Sequence, residues 1–121
     1  MIRWRTGWVM IAASTLLTCT SPLVPDRDAE IVGVIVRAGP GLWSRDAAGP
    51  FQVHVKDDPK GECGIVFTVD SRTSIVDSRK GARRSADQSV LTEGGSVAVW
   101  FDLVLDSCPG QSWAEAIERR E

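Results

Sequence analysis

The run Ser96-Val97-Ala98-Val99-Trp100-Phe101-Asp102-Leu103-Val104-Leu105 decides the fold. Val97, Val99, Phe101, Leu103 and Leu105 fall on one side of it, and Ser96, Trp100, Asp102 and the following Asp106 on the other. A period of two is the pattern of a strand with one face turned to a core. Gly94-Gly95 before the run and Pro109-Gly110 after it are turn signals that mark its limits. A strand this long serves two parts of one curved sheet.

Three more strands are predicted upstream. Ile31 to Val36 is a β-branched block interrupted by Gly33, which implies a bend or a close backbone approach. Phe51, Val53 and Val55 alternate with Gln52, His54 and Lys56. Ile65, Phe67 and Val69 share a register with Cys63, which turns that thiol inward. Between these blocks Gly39 to Pro50 reads as a loop carrying Trp43, and Ser78 to Gln88, with Arg79, Lys80, Arg83 and Arg84, reads as a solvated insert. Val69-Asp70-Ser71-Arg72 recurs as Val76-Asp77-Ser78-Arg79, too little for a repeat architecture. At the end of the chain Ser112-Trp113-Ala114-Glu115 has the form of a helix capping box, whereas a barrel needs a final strand here to close its edge.

The N-terminal residues predict an address. Arg3 and Arg5 precede the apolar Trp8 to Leu17, which is shorter than the roughly 20 residues that cross a bilayer as a helix. Leu16-Leu17-Thr18-Cys19 resembles a lipobox, in which an aliphatic residue stands three positions before a lipidated cysteine; Thr18 stands where Gly, Ala or Ser is usual. The resemblance implies a signal peptide over residues 1–18, a lipid anchor on Cys19, a short polar tether over 19–29 with Pro22 and Pro25, and a single domain over 30–121. The expected location is the cell envelope, outside the cytoplasm, on the periplasmic side or the cell surface.

Without the leader, 12 basic residues face 16 acidic ones, a net charge of −4 with His54 neutral. No nucleic-acid partner is expected, because polyanion binding calls for a basic surface. With Cys19 acylated, Cys63 and Cys108 are the remaining thiols, and an oxidising compartment favours their pairing. Closing that loop constrains the unfolded chain by roughly 4 kcal/mol in the entropy treatment. A redox or metal pair is the alternative, but neither cysteine belongs to a Cys-x-x-Cys.

Few residues carry chemistry. No Gly-x-Ser-x-Gly elbow or phosphate-binding glycine loop is present, and no cofactor or resident metal is expected. His54, the only histidine, lies on an outward strand face near Asp57 and Asp58, so a small envelope hydrolase using His54 with Asp57 or Asp58 is one alternative function. A weak cation site formed by Asp57, Asp58 and Glu62 is another. Trp43 and Trp100 are the candidate ligand contacts, as an aromatic platform for a glycan or an envelope protein. Against that stands simple packing, with Trp100 under the 78–88 insert and Trp43 folded on the barrel end.

From Gly33 to Ile117 the chain resembles a YobA-like bacterial domain of unknown function. The resemblance is carried by the opening strand with Gly33, Thr73-Ser74-Ile75, Leu91 with Gly94, Val97-Ala98-Val99-Trp100, and Ser107-Cys108-Pro109-Gly110-Gln111 leading to Ala114 and Ile117. It implies an all-β fold, a small five-stranded OB-like barrel, with Ala114 to Ile117 as the closing strand. The long insert at Arg79 to Arg84 and the cysteine at 108 depart from the family pattern. The expected function is a non-catalytic, lipid-anchored binding or envelope-accessory module.

Overall fold

The computed structural model describes residues 23–42 and 48–121. Seven strands form one sheet: β1 (Ile31–Pro40), β2 (Phe51–Lys56), β3 (Ile65–Val69), β4 (Ser74–Asp77), β5 (Arg84–Ser85), β6 (Ser96–Leu105) and β7 (Gly110–Arg119), with a 3-10 turn at Gln88–Val90. Antiparallel pairs join β3 to β2, β2 to β1, β1 to β6 and β6 to β7, and β7 then pairs in parallel with β3. The circuit β1-β2-β3-β7-β6 is a closed five-stranded OB-like barrel. Closure removes the free edges that an open sheet of this size would expose.

The closing element is a strand, and the capping-box reading of Ser112 to Glu115 gives way to it. β7 shares one edge between two partners laid end to end. Ile65–Thr68 pair with Gly110–Trp113, and Ser74–Asp77 pair with Ala116–Arg119. Ala114 falls in the gap between the two ladders. Thr73 fills it: its hydroxyl donates to the Ala114 carbonyl (2.8 Å) and accepts from the Asp70 amide (3.1 Å), so a buried carbonyl keeps a partner.

Core packing follows the alternation. Ile35, Val53, Val55, Phe67, Val97, Val99 and Ile117 are fully buried inside the barrel with Leu91, and Phe67 meets Phe101 at 5.0 Å between ring centroids. Gly33 is a close approach, as its sequence context implied. A methyl group there would stand 2.3 Å from the Lys56 carbonyl oxygen of the neighbouring strand.

A second apolar layer lies outside the barrel and was not foreseen. Val24, Val76, Ala98, Trp100 and Ala116 form it, with Leu23 and Ala29 packed against them. The tether expected over 19–29 is therefore, across 23–29, a strap laid over β6, β7 and β4. Trp100 is 2% exposed and donates its indole N–H to the Arg27 carbonyl (2.8 Å), so it packs under this strap and not under the insert. Ser74 donates to the Leu23 carbonyl, and Arg27 reaches both Glu30 (2.8 Å) and Glu115 (3.2 Å).

Other boundaries also shift. β1 runs through Gly39-Pro40, which the loop reading had claimed, with a bulge between Ile35 and Arg37. β4 is too short for a periodicity signal, and the insert supplies β5, paired with it. Arg83 of that insert bonds the Glu118 carboxylate (2.7 Å) beside Arg120 (2.9 Å). Glu118 is 3% exposed. Burial pushes its carboxyl up, but hydrogen bonds from Arg83 and Arg120 outweigh that and leave it below its ordinary value.

Two outcomes follow from this packing. Gly33→Ala lowers the unfolding free energy by about 2–3 kcal/mol, read by urea denaturation, because the obstructing atom is backbone and cannot turn aside. Because the folded pKa of Glu118 lies below the unfolded 4.5, its contribution is present above that value and lost as pH falls through the folded one. Glu118→Gln costs about 1–3 kcal/mol at neutral pH and flattens the acid limb of a stability-against-pH curve.

Candidate functional site

The clearest departure from the expected burial is at the far end of β6. Leu103 and Leu105, on the face that the alternation assigned to the core, are 81% and 66% exposed, and Val104 is 43% exposed. Three residues of β6 run from Phe101 to Val104 while β7 advances only two, from Ala114 to Ser112. The extra residue bulges β6 and offsets an opposite shift between Trp100 and Phe101, where β7 advances two, so β6 and β7 run on together as a hairpin beyond Val99, the last β6 residue that β1 pairs with. The alternation is real, but nothing among the described residues covers the face.

Beside this overhang lies a cleft of about 590 Å³ lined by Thr68, Asp70, Arg72, Leu103, Leu105 and Trp113, with Val104, Gln111 and Ser112 completing its wall. β7 places Trp113 opposite Thr68 of β3, which puts the indole on the outer surface of the barrel. The Asp70–Thr73 turn carries the Arg72 guanidinium over the ring, 4.7 Å from its centroid. Arg72 also donates to Asp70 from its side chain (3.0 Å) and its amide (2.8 Å). These two bonds, the side-chain one foremost, hold the Asp70 carboxyl down at about 2, and the Trp113 N–H adds to the effect. The buried indole nitrogen acts on that carboxylate without closing a hydrogen bond of sound geometry. The result is an aromatic floor with a fixed cation and anion at its rim and an apolar wall.

The Asp-x-Arg device occurs twice. Asp77 accepts from the Arg79 amide (3.0 Å) and side chain (2.9 Å) just as Asp70 does from Arg72, so the recurring Val-Asp-Ser-Arg is one strand-ending turn used after β3 and at the end of β4. Those contacts hold the Asp77 carboxyl well below the usual range.

The remaining sequence candidates fall elsewhere. Cys19 and Trp43 lie outside the described residues. Trp100 has no surface to offer. Cys63 and Cys108 form a disulfide that ties the β6–β7 turn to the segment before β3, supported by a bond from the Gly110 amide to the Gly64 carbonyl (3.0 Å). His54 donates from Nε2 to the Cys63 carbonyl (2.7 Å). Asp57 and Asp58 accept from the amides of Asp58 and Lys60 in their own turn, and no hydrogen bond links either to His54. The hydrolase pair is not assembled, and no group of three metal-ligating side chains occurs among the described residues. A hollow of about 750 Å³ between Phe51 and the 3-10 turn includes Asp87, whose carboxylate is already committed to the Ser89 amide (2.9 Å) and hydroxyl.

Trp113 and Arg72 were missed by sequence reading. Trp113 stood inside the supposed capping box, and Arg72 reaches it only through the parallel pairing of β3 with β7. If Arg72 holds Asp70 as described, Arg72→Ala moves the Asp70 carboxyl up from about 2 toward its ordinary 3.8, which a side-chain carboxyl titration by NMR reads directly. No protein-family model, curated protein or solved structure matches this chain.

Proposed function

We propose that the chain is a lipid-anchored, extracytoplasmic binding or envelope-accessory module, not an enzyme, whose contacts converge on the Trp113–Arg72 cleft and the Leu103–Leu105 overhang. The carrying observation is the contiguous exposure of Leu103, Val104 and Leu105 next to Trp113. Monomeric surfaces scatter exposed apolar residues singly, and a connected patch rimmed by charge marks an interaction site. OB-like barrels commonly bind along strands 2 and 3 and the loop joining strands 4 and 5, and this cleft adjoins the equivalent hairpin, β6–β7. The barrel agrees with the fold implied by the resemblance to a YobA-like domain; membership itself stays part of this proposal.

Location is proposed from the leader, the lipobox-like Leu16 to Cys19, and the Cys63–Cys108 disulfide, a bond that persists in oxidising compartments. No helix among the described residues is long and apolar enough to cross a membrane. Within this reading the rigid indole and the fixed ion pair supply shape and orientation, and the apolar wall supplies desolvation.

Intact-mass analysis of membrane-extracted protein is expected to give residues 19–121 with acyl chains and an intact disulfide, and Cys19→Ala to lose the acyl mass. An uncleaved chain in the cytosol with reduced thiols overturns the address. For the binding role, glycan and peptide arrays probed with the extracted protein should show ligands whose affinity falls at least about tenfold in Trp113→Ala. Equal binding by that variant removes the cleft.

A further inference from the structure

We propose that the Leu103–Val104–Leu105 overhang seats in a zwitterionic phospholipid surface and, together with the lipid proposed on Cys19, holds the barrel to the membrane at two points. The inference rests on the anchor reading above and adds to it an orientation and a lipid chemistry.

The position of Leu23 argues for it. Leu23 is fastened by Ser74, which pairs with Ala116 of β7. From Ala116 to Ser112, level with Val104, is four strand positions, about 13 Å at the usual rise. Cys19 precedes Leu23 by four residues, a reach of at most about 14 Å. The chain before Leu23 is thus long enough for a lipid on that cysteine and the apolar tip to meet one surface, and Trp113 and Arg72 line the cleft beside the tip. Indole rings and snorkelling guanidinium groups suit the headgroup layer.

Charge selects the surface. Asp102 and Asp106 bracket the tip and are exposed, and the Arg72 side chain is 74% exposed. Anionic headgroups would repel the two aspartates. A zwitterionic layer offers an ammonium group to each and a phosphate to Arg72. A second copy of the chain is disfavoured by the same residues, since antiparallel pairing of two tips about Val104 sets Asp102 against Asp106 of the other chain. The disulfide and the Gly110–Gly64 bond pin the β6–β7 turn that follows Leu105, so little conformational freedom remains to be lost when the apolar residues are buried.

The test uses membrane-extracted protein reconstituted in phosphatidylethanolamine–phosphatidylcholine vesicles whose acyl chains are brominated near the headgroup. Tryptophan reporters are placed at the tip by Leu103→Trp and at the opposite end of the barrel by Lys80→Trp. Each is read as the difference from the unsubstituted protein, and flotation with the vesicles is measured in parallel. The expected result is quenching of the Leu103→Trp reporter at least about twofold above that of Lys80→Trp. Adding Leu105→Asp should abolish the excess while the melting temperature and flotation hold. Protein that floats with equal quenching at both reporters overturns the tip and leaves the anchor standing. Protein that fails to float overturns the anchor reading and the tip with it. A dimer in detergent that Leu105→Asp splits makes a second copy the occupant and overturns the lipid assignment.

Discussion

The parallel ladder between Ile65–Thr68 and Gly110–Trp113 is the interaction on which the remaining structure depends. Five strands joined by four antiparallel pairings make a curled sheet with two open edges, β3 and β7; this ladder joins them and turns the alternating faces of β1, β2, β3, β6 and β7 into one enclosed core. It also sets the level at which β7 runs, and so the level at which β4 can continue along the same edge. Thr73 is the hinge of that arrangement, since its hydroxyl serves both the turn that ends β3 and the carbonyl left between the two ladders. The cleft is a by-product of the same geometry. Trp113 lies beside the Asp70–Thr73 turn because β3 and β7 run the same way.

The outer face of β6 and β7 shows two solutions to the problem of an apolar surface outside a closed barrel. Over Ala98, Trp100 and Ala116 the strap from Leu23 to Ala29 supplies cover, and its carbonyl at Arg27 satisfies the indole that would otherwise be buried without a partner. Beyond the bulge at Asp102 no described segment supplies it. The difference is one of level: the strap crosses the strands at the level of Trp100, Ala116 and Ser74, four strand positions from the Val104–Ser112 pair. The exposed aspartates at 102 and 106 discourage pairing between edges.

Much of the barrel was legible in the sequence because period-two alternation is a direct consequence of strand geometry. β2, β3 and the first half of β6 have one face in the core and one outside, and their residues say so. Where both faces are buried the signal fades: Ala114, Ala116, Ile117 and Glu118 are all buried, so β7 shows no alternation and a local capping-box pattern competes with it. Leu103 and Leu105 fail in the opposite way. Alternation reports that two side chains share a face, but whether that face is covered depends on where the strand ends relative to its neighbours, which no local pattern encodes. The strap had a weak signal in Leu23-Val24, an apolar pair between Pro22 and Pro25 where a free tether would be polar.

The candidate site was the least legible part, and the reason is topological. Arg72 and Trp113 are 41 positions apart and meet only because two strands pair in parallel, while the histidine and Trp100, which drew notice for their chemistry, are occupied by structural bonds. His54 secures the Cys63 carbonyl beside the disulfide, and Trp100 secures the strap. Residues with versatile side chains are as useful for satisfying buried backbone as for recognition, so rarity in a sequence is a poor guide to role. In this barrel the distinguishing mark is which polar groups the fold leaves facing outward. The Arg72 guanidinium, held over an indole with its carboxylate partner fixed below, is such a group. Its placement follows from backbone closure, so a change that disturbs the β3–β7 ladder dismantles cleft and core together, whereas a change at Leu103 or Leu105 touches only what the overhang meets.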